Sequence, residues 1–361
     1  MIGSRECESV EIRHCEPCEW NAFLGKARGG SYAQTSLWAL AKLAAGYRAQ
    51  RFTLRASNGI VGGAQLLLRP VPLVGAVGYV PLGPVVAEDD PDLADAVVDH
   101  LKWLANEQKI VYLAVQPPQQ HQSFTKRLRS LGFFPCFVNL APTASVVIDL
   151  SKGLDELLSK MRRTTRYNIR YGQRKGIQVR EGGPQDLDTF HELLLATARR
   201  QGNFRPLGRE YLSELWRLFA PAGHLKMFLA EYEQHVLSAA LLMNFGDTAI
   251  YWKGCWSGEH SNLHPNESLQ WTAIQWAKAQ GYCHYDFGGI PRPLAKSVLR
   301  GDTSSESGNH SVASYKLGFG GEAVLFPEPL AYVPNSTVRR IVASVPQQRL
   351  EPLKRLVNHF K

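Results

Sequence analysis

The sequence predicts a mixed α/β chain of two domains, each built on a sheet, and three observations carry that prediction. Its 361 residues exceed the usual size of one hydrophobic core, and domains of about 150 to 180 residues are expected. Short apolar runs with strand periodicity alternate with amphipathic helical runs, the order of α/β and α+β folds. No internal repeat or low-complexity tract interrupts the alternation. The implied division is 1–150 for the first domain and 151–321 for the second, with a cleft between them.

Each element has its own signal. The first domain has an expected helix at 20–26 and strands at 49–56, 63–71, 76–79 and 111–115. A helix at 93–108 opens at Asp90-Pro91-Asp92. A turn at "SLGFF" (130–134) leads to a strand at 144–149. The second domain begins with a helix at 152–173, followed by helices at 184–201 and 209–219 and strands at 226–231, 236–245 and 248–256. A helix at 267–280 has Asn266 as its expected cap, Glu267 in its first turn and Gly281 past its end, before a strand at 283–287.

That last strand runs into "YDFGGI" (285–290), an acid and two glycines where a buried strand needs neither. In an α/β sheet the ligand crevice lies beyond the carboxyl ends of such strands, which makes Asp286, Gly288 and Gly289 candidate substrate contacts. A tight turn needing positive φ is the competing explanation.

Composition narrows the partners. A net charge of +9 favours anionic ligands, phosphates above all. No apolar run reaches the roughly 18 residues that span a bilayer, and the first residues lack a signal peptide's apolar core. A cytoplasmic, monomeric protein is expected. The six cysteines are scattered and read as reduced thiols. Cys15-Glu-Pro-Cys18, with His14 beside it and Cys7 upstream, is the one metal-like spacing, and no second pair follows, so neither metal nor cofactor is expected.

Walker, GxSxG, HExxH and GxGxxG patterns are absent. Where acetyl-CoA enzymes place a Gly-rich pyrophosphate loop, the sequence reads "SGEHSNLHPNES" (257–268), with one glycine and a proline. Two other signals stand out. The run "SKMRRTTRYNIRYGQRKG" (159–176) contains no acid, and in a helix Arg162, Arg166, Arg170 and Arg174 would share one face. Like charges at that spacing repel, so a polyanion would relieve them, and a solvated basic face is the alternative. In "SYKLGFGGE" (314–322), Lys316 stands between apolar and glycine residues after a polar loop, placed to donate to a developing oxyanion or to snorkel at the surface.

Five segments in register, "YAQTSLWALAKLAAGY" (32–47), "YVPLGPVV" (79–86), "LLSKMRRTTRYNIRYGQRKGIQV" (157–179), "LQWTAIQWAKAQGYCHYDFGGI" (269–290) and "SYKLGFGGE", resemble the Fem family of non-ribosomal peptidyltransferases. That resemblance implies transfer of an amino acid from aminoacyl-tRNA to the stem peptide of a peptidoglycan precursor. It also implies two N-acetyltransferase-like domains, the first completed by 322–361, without the coiled-coil arm of the glycyl-bridge members, and hence a soluble UDP-linked muropeptide as acceptor. By motif, Lys42 and Arg205 resemble the pair that grips the sugar-nucleotide diphosphate, with Tyr211 beside them and Tyr251 in the substrate site. Lys316 resembles the lysine that steadies the reacting carbonyl, and a polyanionic donor makes the arginine row Arg162, Arg166, Arg170 and Arg174 a candidate tRNA contact. The chain departs from the pattern at Gln116-Pro117-Pro118, where compact members carry an acid, and at Lys253, where an aromatic is expected. The reading is an aminoacyltransferase whose acceptor is a peptidoglycan precursor or, given these departures, a related peptide or nucleoside, against two alternatives: an acyl-CoA-dependent N-acyltransferase of the same fold, or a non-catalytic RNA- or nucleotide-binding protein.

Overall fold

Two sheets organise the chain, and each carries its helices on connections that the apolar patterning anticipates. The computed structural model describes residues 11–13, 15–57, 59–88, 90–119, 122–136, 141–202, 206–302 and 311–344. One unit ends at Ala141 and resumes at Phe326, and the other runs Pro142–Leu325.

The first unit contains β1 (Glu11–Arg13), α1 (Pro17–Lys26), α2 (Ser36–Ala44), β2 (Arg48–Ala56), β3 (Gly59–Val71), β4 (Gly75–Pro81) and β5 (Val85–Val86). It continues with α3 (Pro91–Glu107), β6 (Ile110–Gln116), α4 (Gln122–Ser130) and β7 (Phe134–Pro135). Asp90 caps α3 by accepting from the Asp92 N–H at 2.8 Å, and Pro91 fits the first turn, where an N–H would lack a partner.

The second unit contains β8 (Ala144–Asp149), α5 (Leu154–Lys160), α6 (Arg163–Arg174), β9 (Gln178–Gly182), α7 (Leu187–Gln201), α8 (Arg209–Phe219), β10 (Leu225–Tyr232), β11 (His235–Phe245) and β12 (Thr248–Trp256). It closes with α9 (Pro265–Ala279), β13 (His284–Asp286), α10 (Arg292–Leu299), α11 (Val312–Leu317) and β14 (Glu322–Leu325). The chain then returns to the first unit as β15 (Leu330–Tyr332) and α12 (Ser336–Ser344).

The first sheet runs β1-β2-β3-β4-β6-β15-β7 with β5 on β3, and the second runs β14-β8-β13-β12-β11-β10-β9. Each is antiparallel except for one parallel pair, β4 with β6 and β12 with β13. A helix bridges each pair, because parallel neighbours need a crossover. Phe52, Leu66, Leu101 and Phe124 belong to the first core, and Ile169, Leu242, Ile274, Phe287 and Phe319 to the second.

Three sequence expectations change. The strand 144–149 pairs with β13 and β14 and so belongs to the second sheet. Asn266 lies inside α9, whose cap is His264 in the left-handed region with Pro265 at the first position. The single basic helix at 152–173 is broken: Met161 and Arg162 are extended between α5 and α6. The break lies at a tertiary contact: Gly320 at φ +78° is so close to this segment that a Cβ there would fall 2.5 Å from the Lys160 carbonyl oxygen.

Candidate active site

The parallel strands β12 and β13 pair as far as Ile250 with Asp286, and beyond that register they part. Two features force the parting. Strand β12 carries a bulge, with Leu241 opposite Lys253 and Leu242 opposite Tyr251, which leaves Trp252 as the extra residue. After Asp286 the chain turns through Gly288 (φ +73°) and Gly289 (φ +119°). A Cβ on Gly288 would lie 2.3 Å from the Tyr251 carbonyl oxygen, and one on Gly289 would press on Pro142 at 3.1 Å. Both glycines are therefore required by the protein's own backbone: they accommodate a tight turn against β12, and what they offer to a site is main-chain groups.

Those groups are organised by Asp286. Its Oδ1 accepts from the Gly288 N–H at 2.7 Å and from the Ser145 hydroxyl, while the Ser145 oxygen accepts from the Gly289 N–H at 3.1 Å. Removal from water raises the Asp286 pKa above the usual carboxylate value, opposed by the Ser145 and Gly288 hydrogen bonds and by the charge of Lys316. The result is a rigid turn that presents the Gly289 carbonyl.

Lys316 meets that carbonyl. It lies on α11, a short helix whose cap, Ser311, accepts from the Ser314 N–H at 3.1 Å. The side chain is 8% exposed, and its Nζ donates to the Gly289 oxygen at 2.7 Å and lies 5.9 Å from the centre of the Tyr251 ring. Burial pulls its pKa down to about 8, Lys253 pushes the same way, and Asp286 opposes both. Lys253 is itself depressed by desolvation. Tyr251 is folded over Gly254, where a Cβ would lie 1.5 Å from its hydroxyl. The ends of three elements thus gather a buried ammonium, a second lysine, a carboxylate and a phenol whose pKa is raised by burial. Such a group can donate to charge that develops on a substrate oxygen.

A coenzyme pyrophosphate would require free backbone donors at the start of the helix after β12. Here α9 begins with Pro265, which has no N–H, and Glu267 puts a carboxylate in the same turn, where it accepts from Asn168 Nδ2 at 2.9 Å. Helix α6 sits hard against the preceding loop, since a Cβ on Gly172 would lie 2.6 Å from the Leu263 carbonyl. That position presents negative charge and packed backbone.

The other predicted residues are placed as follows. Lys42 is on α2 of the first unit, with its ammonium 5.0 Å from the Trp38 ring centre and 5.7 Å from that of Tyr47. Tyr211 is half-buried near the start of α8, and Arg205 lies outside the described residues. Of the arginine row, Arg162 is not helical: it caps α6 and clamps Ser314, donating to its carbonyl at 3.2 Å and its hydroxyl at 2.9 Å. Arg166 donates to the Ser159 carbonyl at 3.0 Å and to that of Met161, closing the end of α5. The prediction of four arginines on one face is corrected to Arg170 and Arg174 exposed on α6, joined by Arg163. Cys15 is a buried thiol pushed up to about 11 by burial and Glu19, whereas Cys7 and His14 lie outside the described residues. Sequence reasoning missed Ser145 and Gly254. Gly254 was detectable, as a glycine two residues after the bulge tyrosine's neighbour Trp252 in "YWKGC"; Ser145 had no signal, because its role comes from a register between distant strands.

Comparison with known proteins supplies the family. A family model for the FemAB family matches residues 15–132, and one for the acetyltransferase (GNAT) domain matches 159–301. A Lipid II:glycine glycyltransferase from Staphylococcus aureus (strain MRSA252) is 24% identical over 357 aligned positions, covering 78% of this chain and 85% of that protein. Among solved structures, FemX superposes with a TM-score of 0.80 at 21% identity, over 92% of this chain and all of FemX. A tandem GNAT protein from the clavulanic acid pathway gives a TM-score of 0.56 at 11% identity, over 91% of this chain and 99% of that one. These structural likenesses establish two GNAT-type domains. With both family models in register along the sequence, these findings support a member of the Fem family and an aminoacyltransferase-type enzyme.

Proposed function

We propose that this protein joins the activated carboxyl of an aminoacyl-tRNA to an amine on the peptide of a peptidoglycan precursor, with Lys316 at the reacting carbonyl. The observation that carries the reading is the buried ammonium of Lys316 on the Gly289 carbonyl, beside a helix start that presents Glu267 where a coenzyme would need donors. The amine nitrogen attacks the ester carbon, a C–N bond forms, the C–O bond to the ribose breaks, and the proton lost by nitrogen balances the one gained by the ribose hydroxyl. The ester is already activated, so the tasks left are holding amine and carbonyl at about 3 to 3.5 Å and stabilising the oxyanion. One of the three Lys316 donors holds Gly289, and the others serve the developing oxygen. Asp286, tied to Ser145 and Gly288, is assigned to holding the turn and sustaining the lysine's charge.

Lys42 and Arg205 are assigned to the acceptor's diphosphate, and Arg163, Arg170 and Arg174 to the tRNA. A relative named for lipid II supports a peptidoglycan-precursor acceptor. The match of residues 159–301 to the GNAT model favours a second reading, acyl transfer from acyl-CoA. Purified protein incubated with charged tRNA pools and either a UDP-linked or a lipid-linked muropeptide should form aminoacylated product. Product from acetyl- or acyl-CoA without tRNA would reject the first reading and establish the second.

A further inference from the structure

Between Glu19 and Glu88 the sequence contains no acid, while Lys26, Arg28, Lys42, Arg48, Arg51, Arg55 and Arg69 fall within it. The same stretch exposes apolar side chains that its packing does not explain. The turn between β3 and β4 presents Leu73, fully exposed, and Val74, 58% exposed. Leu73 is held at φ +63°, where glycine or asparagine would fold at lower cost, so turn geometry does not account for the leucine. On α2, Leu40 and Leu43 are 49% and 60% exposed, one helical turn apart.

Two of these cations are held on the elements that carry these side chains. The Arg69 guanidinium, four residues before Leu73, lies 5.4 Å from the Tyr47 ring centre, and the ammonium of Lys42 lies on the same ring and on Trp38. Tyr47 thereby links the leucine-bearing helix to the strand that ends in the apolar turn. Lys109 stands at the turn's other side, where its carbonyl accepts from the Ala76 N–H at 3.1 Å. Apolar tips with a basic surround match the two layers of an anionic bilayer surface, acyl boundary and headgroup phosphate.

We propose that the first unit docks on an anionic lipid surface, inserting Leu73 and Val74 and resting Leu40 and Leu43 at the interface, with Arg48 and Arg69 at headgroup phosphates. The proposal deepens the transfer reading, on which it rests for its purpose: Lys42 next to Leu43 would meet the diphosphate of a lipid-linked acceptor at the depth where a bilayer holds it. A UDP-linked acceptor needs no such surface.

The test is sedimentation of the full chain with phosphatidylcholine vesicles, with and without phosphatidylglycerol, at two salt concentrations. Binding should need the anionic lipid and weaken with salt. The exposed double substitution Leu73→Asp with Val74→Asp should lower vesicle affinity about tenfold or more, with turnover of a soluble UDP-linked acceptor unchanged. Arg48→Glu should weaken binding to anionic vesicles alone. Wild type that ignores anionic vesicles, or a double variant that binds as wild type does, overturns the proposal. So does loss of tRNA retention in the double variant with vesicle binding intact, which would mark an RNA surface, or loss of a concentration-dependent dimer, which would mark contact between two copies. Vesicle binding is read without catalysis, so an inactive protein that still binds vesicles fails the transfer reading and leaves this one standing.

Discussion

The two parallel strand pairs, β4 with β6 and β12 with β13, occupy equivalent places in their sheets and are filled with different chemistry. In the first unit the pair is closed by neutral amides. Gln34 donates to the Pro81 carbonyl at 2.9 Å and accepts from the Gln65 N–H at 2.8 Å. Gln65 donates to the Thr35 carbonyl at 2.7 Å, and Gln116, at the end of β6, accepts from the Ala141 N–H at 2.9 Å. All three glutamines are fully buried. In the second unit the pair ends among Asp286, Lys316, Lys253 and Tyr251, all of which carry ionisable groups. An amide plug satisfies backbone groups and has no charge to give to a transition state, whereas a desolvated ammonium has a full one. The same strand geometry therefore supports structure in one unit and chemistry in the other.

The sharpest way to break this comparison is Lys316→Met. Turnover should fall on the order of 100-fold or more with the acceptor's KM little changed, because the lost donor acts on charge that appears in the transition state. Steady-state kinetics on a folded variant decide it, and an unchanged kcat would return the second pair to a structural role. The pH profile is a second measure. With its pKa near 8, Lys316 is protonated below that value, so the rate should fall as pH rises through about 8. Asp286 raises the lysine's pKa, so Asp286→Asn should move that alkaline limb to lower pH. A limb that stays in place would separate Asp286 from the lysine's charge.

The matching change in the first unit is Gln116→Leu. It strands the Ala141 N–H and should cost about 1 to 3 kcal/mol in denaturant unfolding, while the pH profile of turnover stays where it was. A shifted profile would mean that the amide plug takes part in the chemistry. The smallest effect expected is on the donor. Arg170→Glu with Arg174→Glu should flatten the dependence of log tRNA affinity on log salt by about 0.7 to 0.9 for each phosphate no longer neutralised. Arg162→Ala, which breaks the clamp on Ser314, should instead lower the melting temperature. Filter retention across a salt series and a thermal melt separate the two kinds of arginine, and an unchanged slope would place the tRNA elsewhere.

Local signals determined a large part of the molecule. The strands at 144–149 and 248–256 and the helix at 209–219 were readable to the residue, because alternation and helical spacing record which side chains a single element buries. Net charge and the position of Lys316 after a polar loop were also legible, as were "YDFGGI" and its turn. Tertiary structure decided the rest. It broke the basic helix at Met161, where Gly320 arrives from a segment far away in sequence. It put Arg162 on Ser314 and Ser145 on Asp286, pairs separated by more than a hundred residues. It assigned the two glycines to the Tyr251 carbonyl and Pro142. Periodicity reports the environment of one element, and no periodicity encodes which distant carbonyl a glycine must clear or how dry a lysine will be. The charge of Lys316 was written in the sequence, but its burial, its lowered pKa and the carbonyl it holds arise where three elements meet.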